Sequence, residues 1–375
     1  MLTLEELQGL GGQADRLRPL VRFLREQGYD LPAIARFLSF REPSESLLTQ
    51  SALHSFVYSD ELSGQRSILG TLVQLFLFAS RVDLQAYALL PLSVRELCER
   101  HGLVALEGQQ ARGEVCISEL DSRYYLSDRL FENRGNHEIA MCDTEGLVMP
   151  VHESSLRLLR FLDRPHGGSF LDIGTGCGVL AIATRAGCSR SKAIDLSPRA
   201  VALARINCAL NELEIECEPG DCFTFSDGSR YDQIAFNAPW SIDYRLPLLQ
   251  PGSSSASNVA RFLEQRLELL LSPGGVCQLW SVFPVLHGDE SLDRVLEREL
   301  PRPERFRIAA HAVREGGFHV SEAAIASRKL PRGSYLFQSP SDAPELVAFL
   351  ERNRIKEVLP VLLRVGLNRE QGPSR

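Results

Sequence analysis

The residues with the greatest chemical capacity stand at the ends of short apolar runs. Tyr231-Asp232-Gln233-Ile234-Ala235-Phe236 closes on Asn237-Ala238-Pro239-Trp240. An asparagine amide oxygen and the carbonyl of the next residue can both accept hydrogen bonds from one NH₂ group, which fixes the nitrogen and aims its lone pair. Pro239 restricts Ala238 to an extended backbone, and Trp240 offers a flat face to a planar amide or base. Upstream, Phe170-Leu171-Asp172-Ile173 runs into Gly174-Thr175-Gly176-Cys177-Gly178. Glycines lack Cβ and accept positive φ, so backbone there can approach a ligand closely. Lys192-Ala193-Ile194 ends in Asp195, with Leu196 beside it. An acid so placed accepts hydrogen bonds from both hydroxyls of a ribose. Glu214-Ile215-Glu216-Cys217 leads to Gly220, Asp221 and Cys222.

These positions require elements that hold them at one edge. Four strand candidates with helical patterns between them make a parallel α/β sheet, and ligands of such sheets bind at the carboxyl ends of the strands. The glycine cluster is not a phosphate cradle. Val179 interrupts the Gly-x-Gly-x-x-Gly pattern, and no glycine-rich loop ends in Gly-Lys-Ser/Thr. Both absences weaken a dehydrogenase or nucleotide-hydrolase reading.

Asp172 to Gly178 spells Asp-x-Gly-x-Gly-x-Gly, Asp195 follows at the second strand end, and Asn237-Ala238-Pro239-Trp240 stands where an Asn-Pro-Pro-Tyr motif would. On these three motifs the stretch from about Pro150 to Gln338 resembles the class I S-adenosylmethionine-dependent methyltransferases. Among them it is nearest to the release-factor glutamine methyltransferases and the small-domain ribosomal RNA methyltransferases. The resemblance implies an α/β, Rossmann-like seven-stranded sheet with the last strand antiparallel, and S-adenosyl-L-methionine as cofactor. It implies cofactor contacts from Asp172, Gly174, Thr175, Gly176, Gly178, Asp195, Leu196, Asp221, Cys222 and Asn237. Asp221 takes the place that binds the adenine amino group, unless it only stabilises a turn. Asn237, Pro239 and Trp240 would form the catalytic motif. Ala238 departs from the family's proline, which keeps the carbonyl, loses some rigidity and leaves the substrate open. Before the cofactor strand, Pro150 and Glu153 match a Pro-Arg-Pro-Glu-Thr pattern, with Val151 and His152 replacing Arg-Pro. Glu153 either caps a helix or faces the cofactor. His152 either helps deprotonate a substrate or is a hydrogen-bonded surface histidine.

The expected reaction is therefore methyl transfer to nitrogen of a planar amide or amine, on a protein glutamine or a small metabolite. A nucleobase of RNA or DNA is the alternative acceptor. A catalytically inactive fold serving as a binding module is the alternative of another class; broken motifs would mark it, and Asp172, Gly174, Gly176 and Asp195 are intact. The net charge of −7 argues against a general nucleic-acid binder, since duplex-binding surfaces concentrate Arg and Lys; a local patch remains possible. Nine cysteines lie scattered without a Cys-x-x-Cys, so no metal site is expected and a reducing compartment is. No run of eighteen apolar residues occurs, and Met1-Leu2-Thr3-Leu4-Glu5-Glu6 is no signal sequence. The expectation is a cytoplasmic protein with no membrane partner.

Residues 1–135 read as a helical, winged-helix-like substrate-recognition domain, and 136–375 as the methyltransferase domain. Leu17, Leu20, Val21 and Leu24 recur at helical spacing, Gly28 stops that helix, and Asp30 with Pro32 opens the next. Apolar residues 68–78, then 84–90 and 93–101, predict three more helices. A ribbon follows, with strands at 103–106 and 114–117 around a turn at 107–113, and a further strand at 123–126. The presumed recognition helix sets Arg95 and Arg100 against Glu96 and Glu99, which is poor for groove binding. Residues 129–149 read as linker. Residues 241–259 read as a substrate lid, 307–313 and 334–338 as the last strands, and 343–367 as one or two closing helices.

Overall fold

The computed structural model describes residues 1–49, 54–55, 57–58, 61–62, 66–135, 138–142, 146–165, 167–239, 255–300, 303–328 and 343–368. Trp240, most of the expected lid and the strand expected at 334–338 lie outside these residues.

A seven-stranded mixed sheet is built from β1 (Ser169–Ile173), β2 (Arg190–Asp195), β3 (Glu216–Pro219), β4 (Tyr231–Asn237), β5 (Leu271–Leu286), β6 (Phe306–Ala312) and β7 (Ile355–Leu367), in the order β3-β2-β1-β4-β5-β7-β6. β1 pairs parallel with β2 and β4, β4 pairs parallel with β5, and β7 runs antiparallel to both β5 and β6. The expected sheet with its antiparallel last strand is present. Residues 343–367 depart from expectation: only Ala343–Arg352 is helical, and Ile355–Leu367 is strand β7. Its run Val358-Leu359-Pro360-Val361-Leu362-Leu363 is buried on both faces, so it lacks the alternation that distinguishes strand from helix. Pro360 was the available signal, since proline removes a helical hydrogen bond.

The chain forms two compact units: residues 1–153, 175–185 and 195–219, and residues 154–174, 186–194 and 220–375.

In the first unit, Asp30 caps Leu31–Phe37 by accepting from Ala33 N at 2.7 Å, and Gly28 has φ +68°. Ile68–Leu72 continues into Val73–Leu77, followed by the strand Arg81–Asp83 and helices Leu84–Tyr87 and Leu92–Arg100. The strands Val104–Glu107 and Gln110–Gly113 complete a three-stranded antiparallel sheet with Arg81–Asp83 at one edge. The ribbon's second strand lies where the turn was expected. Gly108, at φ +61°, makes the turn with Gln109 alone, as two-residue hairpin loops prefer. Gly113 is obligatory, because a Cβ there would sit 2.1 Å from the Leu75 carbonyl oxygen. Val115–Leu120 instead pairs with Arg123–Asp128 through Asp121 and Ser122, both at positive φ. The expected linker also holds a hairpin, Phe131–Gly135 with Glu138–Met141; its short, charge-interrupted strands concealed it. Helix α2 (Pro198–Leu210) docks here. Asn207 bonds the Leu126 N–H and carbonyl, each at 2.8 Å, and Asn211 bonds those of Tyr124 at 3.0 and 2.8 Å.

In the second unit, Leu171, Ile173, Ile234 and Phe236 pack with Val259, Phe262 and Leu263 of the helix Ser255–Gln265. The Phe236 and Phe262 rings meet edge-on at 5.3 Å. Each fully buried side chain of this size contributes roughly 2–3 kcal/mol. Helix α1 spans Glu153–Phe161. Its end is fastened by Gln278, whose Nε2 donates to the Phe161 carbonyl at 2.6 Å and whose Oε1 accepts from Asp163 N at 3.0 Å.

Candidate active site

In the second unit Asn237 is the last residue of β4, and Ala238 N donates to the Trp280 carbonyl of β5 at 3.1 Å. The Asn237 Nδ2 donates to Ser154 Oγ at 3.0 Å and Ser155 Oγ at 3.1 Å, both in the first turn of α1. The amide is thereby fixed with Oδ1 buried and without a hydrogen-bond partner among the described residues. A buried acceptor left unpaired costs about 1–3 kcal/mol. Ser154 and Ser155 escaped the sequence reading, because they lie 83 and 82 residues before Asn237. Two serines opening a helix beside the expected Pro-x-x-Glu pattern were the only signal.

Also in this unit, Asp172 on β1 is fully buried. Gly174 turns at φ +65°, where a Cβ would rest 4.0 Å from the Asn237 carbonyl oxygen. Asp221 Oδ1 accepts from Phe223 N at 2.9 Å, so one oxygen does stabilise a turn. Burial, with the Asp221 carboxylate beside it, pushes the half-buried Cys222 thiol up to about 12. Cys222 is therefore a neutral packing group. Pro239 is exposed.

In the first unit, Thr175, Gly176, Gly178, Asp195 and Leu196 come together. Gly176 and Gly178 have φ +55° and +85°, and Gly178 opens the helix Val179–Thr184. Asp195 Oδ2 accepts from Gly176 N and Oδ1 from Ser197 N, each at 2.9 Å. The acid thus ties the glycine turn to the start of α2 and keeps further lone pairs on both oxygens. Burial pushes the Asp195 carboxyl above its ordinary value, against the lowering effect of those two amides. Leu196 is 74 % exposed, an apolar surface beside Asp195.

His152 is not on the surface. It is 5 % exposed, and burial pushes its imidazole down to about 4 from an ordinary 6.5. It is neutral at pH 7 and a weak base. The unfolded chain binds this proton near pH 6.5, the folded chain only near 4. Its contribution is complete above pH 6.5 and is lost as the pH falls toward 4, by up to about 3 kcal/mol. Urea denaturation of the wild type and of His152→Asn from pH 7 to 4 should show a smaller acid-induced loss in the variant; parallel profiles would refute this. Glu153 is buried and opens α1, where a negative charge meets the positive end of the helix.

Residues 150–281 match a family model described as the methyltransferase small domain. The chain carries a methyltransferase domain. The class expected from the motifs stands, as does S-adenosyl-L-methionine as cofactor, and the protein is an enzyme. The methyltransferase is 29 % identical over 152 residues to a putative protein N5-glutamine methyltransferase of Methanocaldococcus jannaschii, covering 36 % of this chain and 77 % of that protein. It is 27 % identical over 203 residues to the release factor glutamine methyltransferase of Geobacter sulfurreducens, covering 49 % and 66 %. Over 74 residues it is 42 % identical to the ribosomal protein L11 methyltransferase of Caldicellulosiruptor saccharolyticus, covering 19 % and 24 %. The match to the latter two thus spans less than two thirds of each. No described helix is long and apolar enough to cross a membrane.

Proposed function

We propose that this methyltransferase acts on the nitrogen of a planar amide, with a protein glutamine as the first candidate and a small amide- or amine-bearing metabolite as the second. The observation that carries the proposal is the Asn237 amide, anchored through Nδ2 and presenting a buried Oδ1 without a partner among the described residues. That oxygen and the Ala238 carbonyl would accept both hydrogens of an NH₂ group and turn its lone pair outward. Asp172, the backbone of residues 174–178, Asp195, Leu196, Asp221 and Cys222 would hold the donor, which supplies an electrophilic methyl on a sulfonium. The chain's own contribution is alignment, the main lever when the electrophile is already activated. The relatives named for glutamine and for a ribosomal protein support a protein acceptor.

Residues 1–135 would select the acceptor and 136–375 carry the chemistry. On the presumed recognition helix Arg95 Nε donates to the Leu90 carbonyl at 3.1 Å, and Glu96 and Glu99 offset the charges of Arg95 and Arg100, which disfavours a nucleic-acid groove and favours a protein.

The test is transfer of a labelled methyl from S-adenosylmethionine into cell extract, followed by fractionation. Label in protein, released as methylamine on acid hydrolysis, is the expected result. Label in RNA or DNA would move the reading to a nucleobase. A narrower test uses the serines. Ser154→Ala with Ser155→Ala should lower kcat about tenfold by letting the Asn237 amide rotate, with unchanged donor affinity. Threonine at both positions should restore most of it. An unaltered kcat would show that the two hydroxyls do not position Asn237.

A further inference from the structure

Helix α1 carries a second feature one turn beyond the serines. Arg157, Arg160 and Phe161 form one wall of an open groove of about 640 Å³ in the second unit. His311 and Ala312 at the end of β6, Val313, Arg314 and Glu315 just after it, and Leu362 of β7 complete the lining. Three guanidinium groups and one carboxylate line it, in a chain whose net charge is −7. The carboxylate is that of Glu315, whose side chain is 77 % exposed and whose Oε1 pairs with Arg157 Nη1 at 3.0 Å. Arg314 Nε pairs with Glu357 at 2.9 Å, and Glu357 also meets His319 at 2.8 Å. Arg157 is only 23 % exposed. Arg160 is exposed and the Arg314 side chain is 60 % exposed, so the positive charge lines an open groove in which Arg157 is the partly desolvated member, and a groove lined by one sign of charge raises the local concentration of an anion. Arg157 follows Ser154 by three residues, so the groove begins ~5 Å along α1 from the hydroxyl that holds Asn237.

We propose that this groove seats an acidic segment of the methyl acceptor, a run of Asp or Glu side chains close to the amide that is methylated. The proposal rests on the amide-nitrogen reading and names the class of acceptor. Glu315 stands in for such a side chain: an exposed surface carboxylate on Arg157, displaced when the acceptor's own carboxylate arrives. Guanidinium forks match carboxylates bidentately. Three arginines in a short groove suit a few carboxylates, whereas a nucleic-acid backbone would need charge continued along a stripe.

The two sides of the groove give tests of opposite sign. The probe is a fluorescein-labelled peptide with one glutamine among glutamates, measured by anisotropy on the full-length protein at low and high salt. Binding is expected to weaken with salt. Arg157→Glu with Arg160→Glu should weaken it about tenfold, and Glu315→Gln should tighten it about threefold, in line with partly exposed charge pairs. Arg294→Glu, a surface reversal outside the groove, should leave it unchanged. Equal affinity in all variants, no peptide binding, or tighter binding of a labelled single-stranded oligonucleotide with the same response to the variants would overturn the proposal. A thermal shift with S-adenosylmethionine on the same samples reads the donor site separately. A donor response with no peptide response would sink this inference and leave the methyltransferase reading intact.

Discussion

Asn237→Ala should lower turnover on the true acceptor by on the order of 10²-fold or more, with affinity for S-adenosylmethionine almost unchanged. Asn237 joins two constraints in one residue. Its main chain is fixed by strand pairing to Trp280 and by the Ala238 hydrogen bond to the same residue. Its side chain is fixed by Ser154 and Ser155. What is left over is one oxygen of known direction. Removing that oxygen releases the acceptor nitrogen from alignment, and lost alignment appears in the chemical step rather than in donor binding. Asn237→Asp should be milder for an amine acceptor, because a carboxylate still accepts hydrogen bonds. For an amide it keeps the acceptor but loses the donors that Ser154 and Ser155 receive, so it should resemble the double serine variant with an added charge. Single-turnover rates and calorimetric donor affinity, measured on the same samples, separate the two steps. Wild-type turnover in Asn237→Ala would eliminate the amino-group mechanism and turn attention to an oxygen or carbon acceptor.

The glycine turn and the acid proposed to hold the donor stand where the sequence placed them, because their signals are local. Glycines 174, 176 and 178 all adopt positive φ, which their residue type alone permits at low cost. Asp195 stands at a strand end because an apolar run stops there, and its contact with Gly176 crosses 19 residues. The acceptor half was only half legible. Asn237 was marked by its own motif, but the serines that orient it belong to an element more than eighty residues away, and no periodicity links them. The basic groove is less visible still, since α1 and the end of β6 meet only through the order of the sheet. The errors of secondary structure follow the same division. Residues 114–117 were correctly placed in a strand but given the wrong partner, because Asp121-Ser122 forms a tight turn without a glycine to announce it. Strand β7 was mistaken for helix because burial on both faces erased its alternation.

The largest effect on stability is expected from Asp128→Ala, at about 3–5 kcal/mol. Asp128 is 2 % exposed and accepts from Arg199 Nε at 2.6 Å and from Val148 N at 2.8 Å, and a second Arg199 nitrogen reaches its other oxygen. Its own N–H donates to the Val148 carbonyl at 3.0 Å. One carboxylate therefore joins the strand Arg123–Asp128, the segment at Val148 and the first turn of α2. Removing it strands the guanidinium of Arg199, which is 15 % exposed, and leaves the Val148 amide without that acceptor. An uncompensated buried charge is the costly outcome, so removing both partners should cost less than the sum of the single changes. Asp128→Asn, which retains an acceptor, should cost less than alanine. The consequence reaches the donor residues through the first unit alone. α2 starts beyond Asp195, whose oxygens hold Gly176 and Ser197, and the Val148 side chain lies 3.9 Å from where a Cβ of Gly176 would be. Donor affinity should accordingly fall severalfold in Asp128→Ala under conditions where it is folded, while Asn237, in the other unit, keeps its serine contacts. Urea denaturation of the two single variants and the double variant gives the coupling, and calorimetry with S-adenosylmethionine gives the functional cost. A loss below about 1 kcal/mol for Asp128→Ala would place the pair among exposed ion pairs, whose desolvation and ordering offset their attraction.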